Sequence, residues 1–206
     1  MVRKLFFACA VFFVAGAILV TSIFRSAAVK YNFYLQPTPL PLNESLLVEI
    51  DYRLPTPGHI SPDSPLWPLK ATRDKLWLAV NPNPLKKAEI TLLIADERLA
   101  SAEQLFFADK HELSVSVIKK SEIYLLETCD YLEEASDKGM DVVSFAIRLS
   151  LASLKHRQVL ETIHAHAPED ARAPLLEIMN NSKLVYEKSS QLLNRNEVPP
   201  PPNPFP

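Results

Sequence analysis

The chain has 206 residues, 48% apolar and 22% charged, enough for a membrane segment plus one folded domain of ordinary size. Its net charge of −2 is unevenly spread: residues 1–30 hold Arg3, Lys4, Arg25 and Lys30 and no acid, leaving 18 basic and 24 acidic residues, or −6, on the rest. An acidic domain without basic runs is a poor nucleic-acid binder, so no nucleic-acid partner is expected.

The first element is the run "LFFACAVFFVAGAILVTSIF", Leu5 to Phe24, twenty residues without a charge. That length spans a hydrocarbon core about 30 Å thick as a helix. It predicts a transmembrane signal-anchor helix over 5–24, with the lipid bilayer as its partner. Arg3 and Lys4 make residues 1–4 a basic cytoplasmic tail, which places the bulk of the chain outside the cytoplasm. Ser26-Ala27-Ala28 leaves open a cleaved signal peptide and a secreted product, but the apolar core exceeds the usual 7–15 residues, roughly, of such a peptide. Cys9 lies within the run, so Cys129 stands alone in the remainder and no internal disulfide is available to it.

Residues 25–53 read as a stalk. The alternating prolines of "LQPTPLPLNES" favour extended polyproline-II geometry, and "LLVEIDY" (Leu46 to Tyr52) suits either a short strand or a packed segment. A helical bundle is expected over 54–194. Pro84 is followed by no proline until Pro168, and Gly139 is the one glycine between them, so the chain there has few ways to turn except between long helices.

The first helix of that bundle is expected from Ser64 to about Val80, capped by Asp63 or Ser64 with Pro65 in its first position. Asn83-Pro84 repeats the device for a second, Pro84 to about Lys110, whose Leu85, Ala88, Leu92, Ala95, Leu99, Ala102 and Phe106 alternate at spacings of 3 and 4. A third runs from about Glu112 to Ser136, Gly139 supplies a turn, and Asp141 caps a fourth over Val142 to Ala167. A fifth extends from near Pro174 to about Asn194, and 195–206, ending in "VPPPPNPFP", reads as a proline-rich disordered tail. The fold class is therefore all-α: a transmembrane helix, a proline-rich stalk, and an antiparallel bundle of four to five helices.

Catalytic constellations are scarce, and no catalytic residue, metal or cofactor is assigned. There is no glycine-rich phosphate loop, G-x-S-x-G or H-E-x-x-H. Glu161 and His164 form one E-x-x-H pair beside His166, but a di-iron bundle needs a second pair on another helix. His156 falls on an apolar stripe, the usual place of a satisfied, half-buried histidine. On the first helix the stripe Leu66, Leu69, Leu76, Val80 passes through Arg73. A core-facing arginine needs an acidic partner, and Glu89 and Asp96, seven apart on the second helix, are its expected salt-bridge partners.

The stretch Pro55 to Ala102 contains P-x-P-G (Pro55, Pro57, Gly58) and then P-D-S-P-L (Pro62 to Leu66) leading into Lys70, Arg73 and Asp74. Further on come K-K-A-E (Lys86 to Glu89) and Asp96, Arg98 and Leu99. In this it resembles the bacterial domain of unknown function family 5667. Trp67 and Asn83 stand where tyrosine and aspartate are usual. The resemblance implies an exported or membrane-anchored helical protein and carries no activity. It marks Asp63, Ser64, Trp67, Lys70, Arg73 and Asp74 as candidate binding residues. It also implies that Leu54 to Pro65 packs on the bundle in one pose, with Leu66 and Trp67 buried against the second helix.

The functional expectation is a membrane-anchored extracytoplasmic module that binds an unknown envelope protein without catalysis. The alternative is a ligand- or metal-dependent enzyme or binding site at the Arg73–Asp74 motif or at His164/His166.

Overall fold

The computed structural model describes residues 50–205; the expected transmembrane helix over 5–24 and most of the stalk lie outside them. Among the described residues there are five helices and no strand: α1 Trp67–Val80, α2 Pro84–Phe107, α3 His111–Asp137, α4 Val143–His166 and α5 Glu169–Arg195. No helix among them is long and apolar enough to cross a membrane.

Helices α2 and α3 form one antiparallel hairpin and α4 and α5 another. The hairpins pack through α3 on α5 and α2 on α4, while α1 lies against α2. Four long helices with short connections thus make an up-and-down bundle, with α1 as an added layer. The connections follow local chemistry. Asn83 caps α2 by accepting a hydrogen bond from the Lys86 N–H at 3.0 Å. Gly139 takes a positive φ of 72° between α3 and α4, and nothing stands within 4 Å of where a side chain would begin, so backbone conformation alone favours glycine there. Asp141 accepts from the Val143 N–H at 3.2 Å as α4 starts.

Two boundaries differ from the sequence reading. α1 begins at Trp67, three residues late, because Pro68 fills the first turn and Pro65 belongs to the turn before it. Ser64 does not cap the helix; its Oγ accepts from the Leu66 N–H at 3.2 Å. α5 begins at Glu169, five residues before Pro174, which is carried inside the helix in its second turn and forgoes the backbone bond to the residue-170 carbonyl.

The core divides along the bundle axis. Leu92, Leu125, Leu132, Leu149 and Leu193 are among those filling one half. Leu99, Ile118, Leu160, Ile163 and Leu175 are among those filling the other. Between the halves, at positions 96, 122 and 156, the seams of α2, α3 and α4 carry ionisable residues instead of apolar ones.

Two segments outside the helices are part of the fold, and one of them settles an open alternative in favour of packing. At the stalk end, Ile50 is buried and the Tyr52 hydroxyl reaches α2. At the other end Phe205 is 4% exposed, packed with Ile50 and Leu154. The Tyr186 hydroxyl donates to the Pro201 carbonyl at 2.6 Å, and the Arg157 guanidinium sits 5.4 Å from the Phe205 ring centre. The expectation of a disordered tail over 195–206 is therefore corrected: prolines exclude a helix, but they also stiffen an extended segment that a terminal aromatic can pin. Leu54 to Pro65 packs on the bundle as expected, with Leu54 on the core half of Leu99 and Ile118 and Pro62 buried.

Candidate functional site

The α1–α2 contact inverts the polarity expected of it. Leu66, Leu69, Leu76 and Val80, the predicted buried stripe, are 55–68% exposed, and Trp77 is 40% exposed. The residues turned inward are Lys70 and Asp74, one helical turn apart, at 7% and 2% exposure. The reason lies on α2. Asp96 faces the bundle core, so the next two residues, Glu97 and Arg98, fall on the side that α1 covers. A leucine stripe laid over them would strand a carboxylate and a guanidinium, at several kcal/mol each. Lys70 and Asp74 instead supply opposite charges: Lys70 Nζ lies 2.9 Å from Glu97 Oε2, and Asp74 Oδ2 lies 3.9 Å from an Arg98 terminal nitrogen.

Arg73 is corrected accordingly. Its side chain is 63% exposed and bends back onto its neighbour, Nε and Nη2 donating to Asp74 Oδ1 at 3.1 and 2.8 Å. It reaches neither Glu89, which pairs with Lys86 at the surface at 2.7 Å, nor Asp96. Leu66 is exposed rather than buried, and Trp67 is half-buried, with Lys70 Nζ 5.0 Å and the Arg98 guanidinium carbon 5.4 Å from its ring. Asp63 is drawn to Lys110 in an ion pair that ties the α1 approach to the α2–α3 turn and holds the Asp63 carboxyl below its ordinary pKa. Of the six candidate binding residues, Trp67, Lys70 and Asp74 converge on the α2 charges, while Asp63, Ser64 and Arg73 do not.

Arg98 is the residue around which this contact is built. It is 4% exposed, held between the rings of Trp67 and Tyr124 (4.7 Å to the latter). Its Nε has no hydrogen-bond partner among the described residues. The side chain lines a cleft of about 230 Å³ together with Ser64, Trp67, Leu113, Ser116 and Lys120.

A second ionic cluster lies in the layer between the two core halves. His156 is wholly buried; its Nδ1 is 2.7 Å from Glu122 Oε1 and its Nε2 is 3.0 Å from Asp96 Oδ1. Asp96 accepts on its other oxygen from the Tyr52 hydroxyl at 2.5 Å. Burial disfavours a charged imidazole, yet hydrogen bonds and charge from both carboxylates outweigh it and raise the His156 pKa to about 9. Burial, then the Asp96 carboxylate, holds the Tyr52 hydroxyl far above its ordinary value, so it stays a neutral donor. The two ring nitrogens point to carboxylates on opposite sides, so no one point faces all three side chains. Sequence reading placed His156 on an apolar stripe but missed its partners. The signal was present: Glu122 and His156 stand at core spacing among the apolar residues of α3 and α4, and Asp96 directly follows Ala95 of the α2 seam.

His164 and His166 do not form a cluster. Glu161 is engaged by Arg157 at 3.3 Å, and His166 Nδ1 is 2.8 Å from its own helix's Thr162 carbonyl. Burial, opposed by the Glu161 charge, lowers the His164 pKa. Among the described residues no group of three or more His, Cys, Asp or Glu is placed to hold a metal ion. Cys129 is buried in the core half of Leu125 and Leu132, and burial pushes its thiol up to about 12.

Fold and site together define an all-α bundle whose most specific chemistry is buried ionic contact rather than an open catalytic set. The family model described as Domain of unknown function (DUF5667) matches residues 59–170, from just before α1 to the start of α5, and the chain belongs to this family. No curated protein and no solved structure matches it.

Proposed function

We propose that the chain is a single-pass membrane protein held by residues 5–24, with its bundle outside the cytoplasm, and that the bundle is a non-catalytic interaction module. The observation that carries this reading is the ridge on α1: Leu69, Leu76, Trp77 and Val80 face solvent on a helix pinned from behind by ion pairs. Leu76, Trp77 and Val80 cluster beside the exposed Arg73, and an exposed apolar cluster with a polar rim on a folded chain marks an interaction site. The charges beside the ridge are the exposed Arg73 and Lys75 and the part-exposed Glu97, which lines a shallow cleft with Arg73, Leu76, Trp77 and Val80, so bases outnumber acids there because Asp74 is turned inward. The partner that fits is an envelope protein presenting an apolar face with an acidic rim. Catalysis has less support: Asp96, Glu122 and His156, the groups suited to proton transfer, are sealed from solvent.

The test is a photo-reactive residue at Leu76 in the full chain, in cells, with the exposed Leu184 of α5 as the control position. The reading expects one discrete protein adduct from position 76, recovered with membranes and weakened by charge reversal of Arg73 and Lys75. No adduct, the same adduct from both positions, or an adduct with a second copy of the chain contradicts it. Protease added outside intact spheroplasts is expected to reach the bundle; protection until the membrane is broken would reverse the orientation.

A further inference from the structure

The cleft at Arg98 has the makings of a binding site independent of the α1 ridge. It opens beside the first turn of α1, whereas Leu76, Trp77 and Val80 occupy that helix's other end. Its floor is a guanidinium almost sealed from solvent, in which Nε has no partner among the described residues and the nearest carboxylate stands 3.9 Å from a terminal nitrogen. Arginine presents five donors in a planar fork, and a single long ion pair at a terminal nitrogen leaves the Nε donor unused. A buried group in that state costs stability unless something else engages it.

The rest of the lining completes the chemistry. Lys120 adds a second cation, Ser64 and Ser116 add hydroxyls, and among the described residues no acidic side chain lines the cleft. Partial burial, with the charges of Arg98 and Lys75, holds the Lys120 pKa below its ordinary value, as expected of an ammonium pressed toward other cations without a counter-ion. The walls are apolar: the Trp67 ring, Leu113, Val117 and prolines of the approach to α1. At about 230 Å³ the cleft is below the roughly 300–1,000 Å³ of pockets that enclose whole ligands, so it seats one group of a larger molecule.

We infer that this cleft binds an anionic head group, a carboxylate or a phosphate, carried on an apolar body. The head group sits between Arg98 and Lys120, and the body lies along Trp67 and Leu113. Bidentate pairing suits both head groups.

The test uses the full-length chain in neutral detergent, with Trp77→Phe so that Trp67 is the one remaining tryptophan of the two. Butyl phosphate, butyrate, inorganic phosphate and butan-1-ol are titrated against Trp67 emission. The expected result is a saturable change with at least one of the two butyl anions and none with butan-1-ol. Inorganic phosphate is expected to bind about tenfold more weakly than the better butyl anion, since it lacks the body that the apolar walls contact. Which butyl anion binds tighter separates a phosphate source from a carboxylate source. Lys120→Gln, at a half-exposed position, is expected to keep the melting temperature and weaken binding about tenfold. It keeps the inference testable where Arg98→Gln fails to fold. No saturable response to either butyl anion, an equal response to butan-1-ol, or an unchanged affinity in Lys120→Gln overturns it.

Discussion

His156 and Glu122 face each other across 2.7 Å with neither side chain exposed to solvent, α4 bonded to α3 at the level where the two halves of the core meet. Asp96 closes the other side of the ring from α2, and Tyr52 carries the contact out to the segment that precedes α1. One protonated imidazole thus ties three helices and an entering strap.

This arrangement fixes the sign of a pH dependence. The folded-state pKa of His156, raised to about 9, exceeds the ordinary 6.5, so the folded protein holds the proton more tightly than the unfolded chain. The stabilisation is whole below pH 6.5 and is lost as pH rises through about 9. A shift of this size corresponds to something on the order of 3 kcal/mol. Melting temperatures from pH 6 to 9.5 are expected to fall more steeply for the native chain than for His156→Gln. Parallel curves would mean the imidazole is neutral in the fold.

Removing one partner is expected to cost more than removing the cluster. Glu122→Leu leaves the buried imidazole with Asp96 alone and its Nδ1 unpaired, and should destabilise by about 3–5 kcal/mol in urea unfolding. Combining Glu122→Leu with His156→Leu is expected to recover part of that loss. A double variant less stable than the sum of the singles would contradict the pairing.

The inverted α1 contact separates two neighbours in sequence. Arg73→Ala is expected to change stability by no more than about 0.5 kcal/mol, since its side chain lies at the surface. Asp74→Ala removes the nearest counter-charge of the buried Arg98 and is expected to cost about 3 kcal/mol. Equal costs for the two would restore the core-facing arginine that the sequence suggested.

At the far end, Phe205→Ala is expected to cost about 3 kcal/mol and to expose the last residues to carboxypeptidase. A tail digested at the same rate in both proteins would show that the aromatic does not pin it.

The helical bundle was legible because its signals are local. Asn83-Pro84 and Gly139 act on their own backbone, and the 3-4 seams of α2 and α4 need only an apolar neighbour. What was not legible depends on which surface each residue meets. The stripe of α1 is as regular as the others, yet it faces out, because Glu97 and Arg98 on α2 demand charges opposite them. Arg98 belonged to the pattern that carried the family resemblance, but its burial could be read only once α1 was placed over it. The tail was misread for a related reason: composition ruled out a helix and said nothing about where Phe205 would lodge.

The central claim is that the α1 ridge serves docking rather than folding, and the most direct measurement replaces it without touching the ion pairs behind it. Leu69→Ser with Leu76→Ser, in the full chain, is read by melting temperature and by the adduct formed from a photo-reactive residue at Val80. The account predicts a melting temperature unchanged or raised and an adduct lost. A melting temperature that drops by about 5 °C or more, or an adduct that persists at full yield, would contradict it.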